Sequence, residues 1–213
     1  MAIKWVDYDC KILHPISEVT MIGHIERAYR VCYDTESKMD EEVFNDAVKF
    51  IQGKIKAGHH SPLEHSIITM KSIMDRGIMA ELTRHRIGSS FSIQSTRYVA
   101  FKEDLECIMP SELRDNENAR NKIIRAVENS YKEYQELLKN NVTPQNARAI
   151  LPTCLKTIVV HSHNIRELFH ILNLRYFGTT GKPHPDMYYW CHKMYLELQK
   201  HYPHIFIQEP LKI

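Results

Sequence analysis

Between Arg76 and Arg97 the chain sets four guanidiniums, Arg76, Arg84, Arg86 and Arg97, against a single acid, Glu81. Arginine is the cation whose planar fork matches two oxygens of a phosphate or carboxylate. The same window continues as Ser89-Ser90-Phe91-Ser92-Ile93-Gln94-Ser95-Thr96-Arg97, a ribbon of hydroxyl donors suited to the remaining oxygens of an anion. Apolar spacing predicts a helix over 75–87. On it Arg84 and Arg86 diverge by roughly 200°, so they serve two anions or two ends of one large ligand. The plainer alternatives are a solvated basic helix end, which the helix dipole favours, and a polar loop or edge strand for the serines. No His or Asp stands where it would make one of these serines a nucleophile, and G-x-S-x-G is absent.

The chain has 13 histidines, and they cluster. His59-His60-Ser61-Pro62-Leu63-Glu64-His65 and the pair His161 and His163 have the residue types of metal ligands. The first cluster is not H-E-x-x-H, and Pro62 bars a regular helix through it, so loop and rim histidines are the competing reading. Three more guanidiniums, Arg148, Arg166 and Arg175, lie downstream. Arg175 falls within the apolar stretch Ile171 to Phe177, where burial without a partner is costly. Neither G-x-G-x-x-G nor G-x-x-x-x-G-K-[ST] occurs, so a nucleotide cofactor would not be held by a Rossmann or P-loop site.

These side chains need a scaffold. The 213 residues, 43% hydrophobic and 25% charged, suffice for one packed core and exclude a disordered chain. A formal net charge of +2 excludes a protein that coats nucleic acid or membrane through bulk charge. Five scattered cysteines without C-x-x-C fit free thiols in a reducing compartment. The start of the chain carries Asp7 and Asp9 and does not read as a signal peptide; with no run of ~20 apolar residues, a cytoplasmic protein is expected.

A strand is expected over 3–13, then a helix capped by Ser17 and running to Cys32, and another from an Asp40 cap through Val43 and Phe44 to a stop at Gly58. A β-branched run over 66–74 predicts a strand, followed by the helix over 75–87. Residues 91–101 and 105–109 read as extended. A long helix over 112–140, a short one starting at Thr143-Pro144, a buried strand over 154–161, and helices over 164–176 and 185–201 complete the chain. This is an α/β (α+β) pattern: a mixed sheet with flanking helices in a single domain over 1–213.

Arg84-His85-Arg86 followed by Ser95-Thr96-Arg97-Tyr98 resembles the signature of the flavin-dependent thymidylate synthases. Further blocks occur in the family's order: His59 to His65, Asp75-Arg76-Gly77 leading into Glu81-Leu82-Thr83-Arg84, Ala147-Arg148-Ala149-Ile150-Leu151-Pro152, Asn164-x-Arg166, and Leu172-Asn173-Leu174-Arg175. The resemblance spans roughly residues 15–200. It implies reductive methylation of deoxyuridylate to thymidylate, with FAD as cofactor and NADPH and 5,10-methylenetetrahydrofolate as co-substrates. It assigns Glu81, Leu82, Thr83, Arg84, Ile93, Gln94, Ser95, Thr96, Arg97, Arg148 and Arg175 to deoxyuridylate, with Arg175 as the catalytic group at the uracil ring. It assigns Ser61, Arg84, His85, Arg86, Ile93, Asn164, Ile165, Arg166 and His170 to FAD, places His59 and His60 near the flavin and the folate, and calls for no metal. It further implies a homotetramer with shared active sites and no nucleic-acid or membrane partner. The chain departs from the pattern in one extra residue between Arg86 and Ser95, placed at Ser89-Ser90, and in Ile93, His170 and Ala80. A relative that binds nucleotide or flavin without turnover is therefore an alternative, ahead of a histidine-based metallohydrolase.

Overall fold

The structure is a computed structural model that describes residues 2–41, 44–101 and 103–207. In chain order it has β1 (Ile3–Val6), β2 (Asp9–Ile12), α1 (Glu18–Val31), α2 (Phe44–Lys56), β3 (Ile67–Asp75), α3 (Arg76–Leu82), β4 (Ser89–Ile93), β5 (Leu105–Ile108), α4 (Glu117–Lys139), α5 (Pro144–Ala147), β6 (Lys156–Asn164), α6 (Ile165–Arg175) and α7 (Pro185–His201). One sheet has the order β2-β3-β6-β4; β1 and β5 form a second, parallel pair, with Ile3 opposite Leu105 and Val6 opposite Ile108. The mixed α/β architecture expected from the sequence is present.

The packing divides into two compact units, each assembled from separate stretches of chain. The first takes residues up to Asp9, Ser72–Arg84 and Ser92–Val159. Its core is Leu105 and Cys107 from β5, Val127, Tyr131 and Tyr134 from α4, Ala147 and Leu155, with Trp5 and Phe101 against it. The α4 positions recur every three or four residues, so one face is apolar and the rest of this highly charged helix meets water. The second unit takes Cys10–Lys71, His85–Phe91 and the chain from Val160. Here α1 packs on α2, and α6 on α7. Met21, Ile25 and Tyr29, Ile51 and Ile55, Leu168 and Leu172, and Trp190 and Met194 are among the buried residues of these four helices. Each such side chain taken from water stabilises by about 1.5–3 kcal/mol.

Local chemistry explains most helix starts. Side-chain oxygens of Ser17, Asp75, Asn116 and Asn164 each accept from a backbone N–H in the first turn of α1, α3, α4 and α6. Gly58, at φ +83°, stands just after α2, as expected. The Asp40 cap and Val43 lie outside the described residues and side chains.

Several expectations are corrected. The strand over 3–13 breaks into β1 and β2, because Tyr8 turns inward and donates its hydroxyl to Asp75 Oδ2 at 2.6 Å. The helix over 75–87 stops at Leu82, so Arg84 and Arg86 lie on irregular chain and the 200° argument does not apply to them. The extended run over 91–101 ends at Ile93, and residues 96–98 form a turn. The long helix starts at Glu117, after a 3-10 turn at Ser111–Leu113. Thr143 makes no side-chain cap.

Candidate active site

In the first unit Asp75 fixes the start of α3: its Oδ1 accepts from Ile78 N at 2.8 Å. Arg76 N donates to the carbonyls of Thr153 and Leu155. At the other end Thr83 N donates to Met79 O at 3.0 Å and Arg84 N to Glu81 O at 3.3 Å. Leu82 is fully buried and pins this end, Glu81 and Thr83 are half-buried, and Arg84 is exposed.

The serine ribbon leaves the sheet just past β4. Gln94 N still donates to Ile158 O at 2.9 Å; then Ser95 Oγ accepts from Arg97 N at 3.1 Å and closes a turn. This turn buries Thr96, whose Oγ1 accepts from Arg148 Nη1 at 2.9 Å. Arg97 Nη2 donates to Gln145 Oε1 at 3.4 Å, and Ile93 is exposed. Arg76 and Arg148 are electrostatic neighbours. Burial first, and then the charge of Arg148, lower the pKa of Arg76, and Arg76 Nη1 is buried without a hydrogen-bond partner among the described residues. Arg76 and Arg148 thus gather positive charge in one place, a surrounding that favours an anion. By sequence alone Arg76 is one of the clustered arginines, with no site role.

In the second unit Gly88 sets the approach to α6. Its φ is +70°, its carbonyl accepts from Asn164 N at 3.0 Å, and a Cβ there would stand 2.1 Å from Asn164 Nδ2. Asn164 Oδ1 accepts from Glu167 N at 2.8 Å, capping α6, while Ile165 is buried and donates its N–H to Ser66 O. Glu167 faces inward: its Oε1 lies 3.0 Å from His85 Nδ1, and both residues are buried. On the other edge of that ring, Arg175 Nε donates to His85 Nε2 at 3.2 Å. The ring of His170 stands edge-on to His85 with centroids 5.6 Å apart. Arg86 and Arg166 are exposed, and Arg166 Nη1 pairs with Glu64 Oε1. Ser61 opens a 3-10 turn with Pro62 in its first positions. His60 is buried with Nε2 3.0 Å from Ile55 O, and His59 is exposed with its ring 3.5 Å from the Tyr33 hydroxyl.

The remaining histidine pair is neither a rim nor an open ligand set. Ser89 Oγ meets His163 Nδ1 at 2.7 Å, and His163 Nε2 meets His161 Nδ1 at 2.8 Å, in a buried chain. Burial lowers His161 to about 4; burial, then His161 and His85, lower His163 to about 2. Both are neutral at neutral pH. His85, Glu167 and His170 do bring ligand atoms within 4.8 Å of one another. The guanidinium of Arg175 on the same imidazole opposes a metal cation there.

The donor set of the second unit suits a dinucleotide cofactor. Arg86 and Arg166 are exposed cations, and His170 and Ser61 carry a ring N–H and a hydroxyl, the group types that could hold a diphosphate. Residues assigned to the nucleotide lie mainly in the first unit and those assigned to the flavin mainly in the second; Arg84 and Ile93 fall in the first and Arg175 in the second.

Comparison with known proteins defines first the class. The fold is shared with PolB from Streptomyces cacaoi, described as a UMP/dUMP methylase and solved with 5-Br dUMP, at a TM-score of 0.80 and 20% identity over 97% of this chain and 95% of that one. A family model described as "Thymidylate synthase complementing protein" matches residues 20–204. Flavin-dependent thymidylate synthases of Geobacter sulfurreducens and Pyrococcus abyssi are 31% and 30% identical over 153 and 178 residues. These alignments take in 70% and 81% of this chain and 66% and 70% of the relatives, so the chain spans about two thirds of their length. The chain belongs to the flavin-dependent thymidylate synthase family.

Proposed function

We propose that the protein methylates C5 of deoxyuridylate to give thymidylate, using FAD, 5,10-methylenetetrahydrofolate as one-carbon donor and NADPH as reductant. The observation that carries this reading is Arg148 donating to the buried Thr96 hydroxyl, both at family positions assigned to the nucleotide, with Arg76 as the electrostatic neighbour of Arg148. In the net change a carbon–carbon bond forms between C5 and the methylene carbon, the two bonds from that carbon to the folate nitrogens break and release tetrahydrofolate, the C5 proton leaves, and hydride from the reductant completes the methyl group. Bound FAD supplies the redox chemistry of that exchange.

The chain's own residues bind and polarise. Arg148, Arg97, Thr96, Ser95 and Gln94 hold the phosphate and sugar, with Glu81, Leu82, Thr83 and Arg84 beside them. Arg175 faces the uracil ring near N3 and its carbonyl. A guanidinium there favours the enolate-like form and raises electron density at C5, so no covalent enzyme nucleophile is needed. The five cysteines all lie outside the matched blocks. Ser61, His85, Arg86, Asn164, Ile165, Arg166 and His170 hold FAD, and His59 and His60 stand towards the folate. The working unit is a cytoplasmic homotetramer of single-domain chains with shared active sites.

A second reading, ligand binding without turnover, draws on Ile93, an exposed apolar residue where the family carries a polar one, and on the extra residue at Ser89-Ser90. An anaerobic assay with deoxyuridylate, methylenetetrahydrofolate, NADPH and FAD separates the two. Thymidylate formation and tritium release from C5-labelled deoxyuridylate support the enzyme. A yellow, nucleotide-binding protein that forms no thymidylate supports the second reading.

A further inference from the structure

Glu167 belongs to none of the nucleotide or flavin positions, yet it is 8% exposed and its carboxylate points at an imidazole. An ionised carboxylate only accepts hydrogen bonds, so the proton between Glu167 Oε1 and His85 Nδ1 belongs to the ring. In the neutral imidazole this leaves a lone pair on Nε2, and that is the atom to which Arg175 Nε donates at 3.2 Å. The three groups form one directed chain, carboxylate to imidazole to guanidinium. Glu167 sits in the first turn of α6 and Arg175 in its last, while His85 arrives from another part of the chain.

We infer that Glu167 is a positioning residue for Arg175, acting through the tautomer of His85. This rests on the reading of Arg175 as the group that faces uracil. With its Nε committed to His85, the guanidinium is fixed about its long axis and presents its two Nη groups in one orientation. Remove the carboxylate, and the ring proton is free to move to Nε2, which then donates and turns Arg175 away. The His85, Glu167 and His170 cluster is thereby explained without a metal, as an orienting device for a cation.

The test combines nitrogen NMR of the imidazoles in the holoenzyme with tritium release from C5-labelled deoxyuridylate. In the wild type His85 is expected to be protonated on Nδ1. Glu167→Ala is expected to lose that tautomer and to lower kcat about tenfold or more, while Glu167→Gln, whose amide oxygen still accepts, stays within about threefold. In an Arg175→Ala background, Glu167→Ala is expected to add no further loss, because its effect runs through the missing guanidinium. An Nε2-protonated His85 in the wild type overturns the inference, and that measurement needs no variant to fold. Unimpaired turnover by Glu167→Ala, or the same fold loss with and without Arg175, overturns it equally. A wild type that makes no thymidylate with every cofactor present overturns the functional reading, and the positioning role with it. Normal wild-type turnover with an indifferent Glu167 overturns the relay alone.

Discussion

Arg148 donates to the hydroxyl of Thr96 across 52 residues of sequence, at 2.9 Å, and the hydroxyl is buried. That contact orients the guanidinium proposed to hold the nucleotide phosphate. Thr96→Val keeps the shape and removes the acceptor. Its cost is one hydrogen bond to a charged group, about 1.5–3 kcal/mol at most, part of which water at the exposed Arg148 recovers. Titration calorimetry is expected to show deoxyuridylate binding weakened about three- to tenfold, with Thr96→Ser close to wild type. Unchanged binding by Thr96→Val would mean that Arg148 needs no such support.

Arg76 makes a prediction of opposite sign for stability and binding. With burial and Arg148 both working against its charge, Arg76→Met relieves a repulsion in the ligand-free protein. The melting temperature without ligand is expected to hold or to rise by a few degrees. The rise in melting temperature that deoxyuridylate gives the wild type is expected to shrink in the variant. A variant that melts lower and binds as before would mean that Arg76 serves packing instead.

Much of the scaffold was readable because its causes are local. Ser17, Asp75 and Asn164 are oxygen-bearing side chains directly before apolar-periodic runs, and each caps the helix it was expected to start or adjoin. What escaped depends on residues distant in sequence. Tyr8 breaks the first strand because Asp75, far along the chain, takes its hydroxyl. Helix α3 ends early, where Leu82 is pinned in the core and the Thr83 and Arg84 N–H groups close the final turn. The site residues that matched a family pattern were visible as types, but Glu167 was not, since its partner His85 lies 82 positions away and no local spacing marks the pair. Arg76 was visible only as one member of a charged window, because a buried guanidinium nitrogen without a hydrogen-bond partner is a property of packing.

The buried histidine chain predicts acid sensitivity. His161 and His163 titrate at about 4 and about 2 in the folded protein, below the ~6.5 of an unfolded chain. The unfolded state therefore binds more protons as pH falls below ~6.5, so the stability these rings contribute is complete above that value and is lost on acidification. Urea unfolding at pH 5 rather than 7 is expected to show a loss of about 1–2 kcal/mol per histidine. His161→Gln, neutral at both values, is expected to flatten the difference. Stability independent of pH over this window would place these rings in water.

Gly88→Ala tests the joint between the irregular segment and α6. The φ of +70° already disfavours alanine, and the new Cβ would overlap Asn164 Nδ2. Asn164 must move, taking its cap on Glu167 N with it. The loss combines a strained residue of about 1 kcal/mol with a lost cap of similar size. A melting temperature lowered by several degrees and a reduced flavin content after purification are the expected readouts. Full flavin content would separate the cap from the cofactor positions.

Arg175→Lys asks whether charge alone is enough. The arginine donates from Nε to His85 Nε2, and its guanidinium carries two more nitrogens in the same plane. A lysine carries one ammonium, a point donor that either meets His85 or reaches outward, and its flexible stem is not fixed by the imidazole. Charge near the uracil carbonyl survives in part, so deoxyuridylate binding is expected to weaken only severalfold. The oriented pair of donors does not survive, and kcat for tritium release is expected to fall about a hundredfold, or ~2.7 kcal/mol in the barrier. A lysine variant with kcat within about threefold of wild type would show that orientation of this cation contributes little to activating C5.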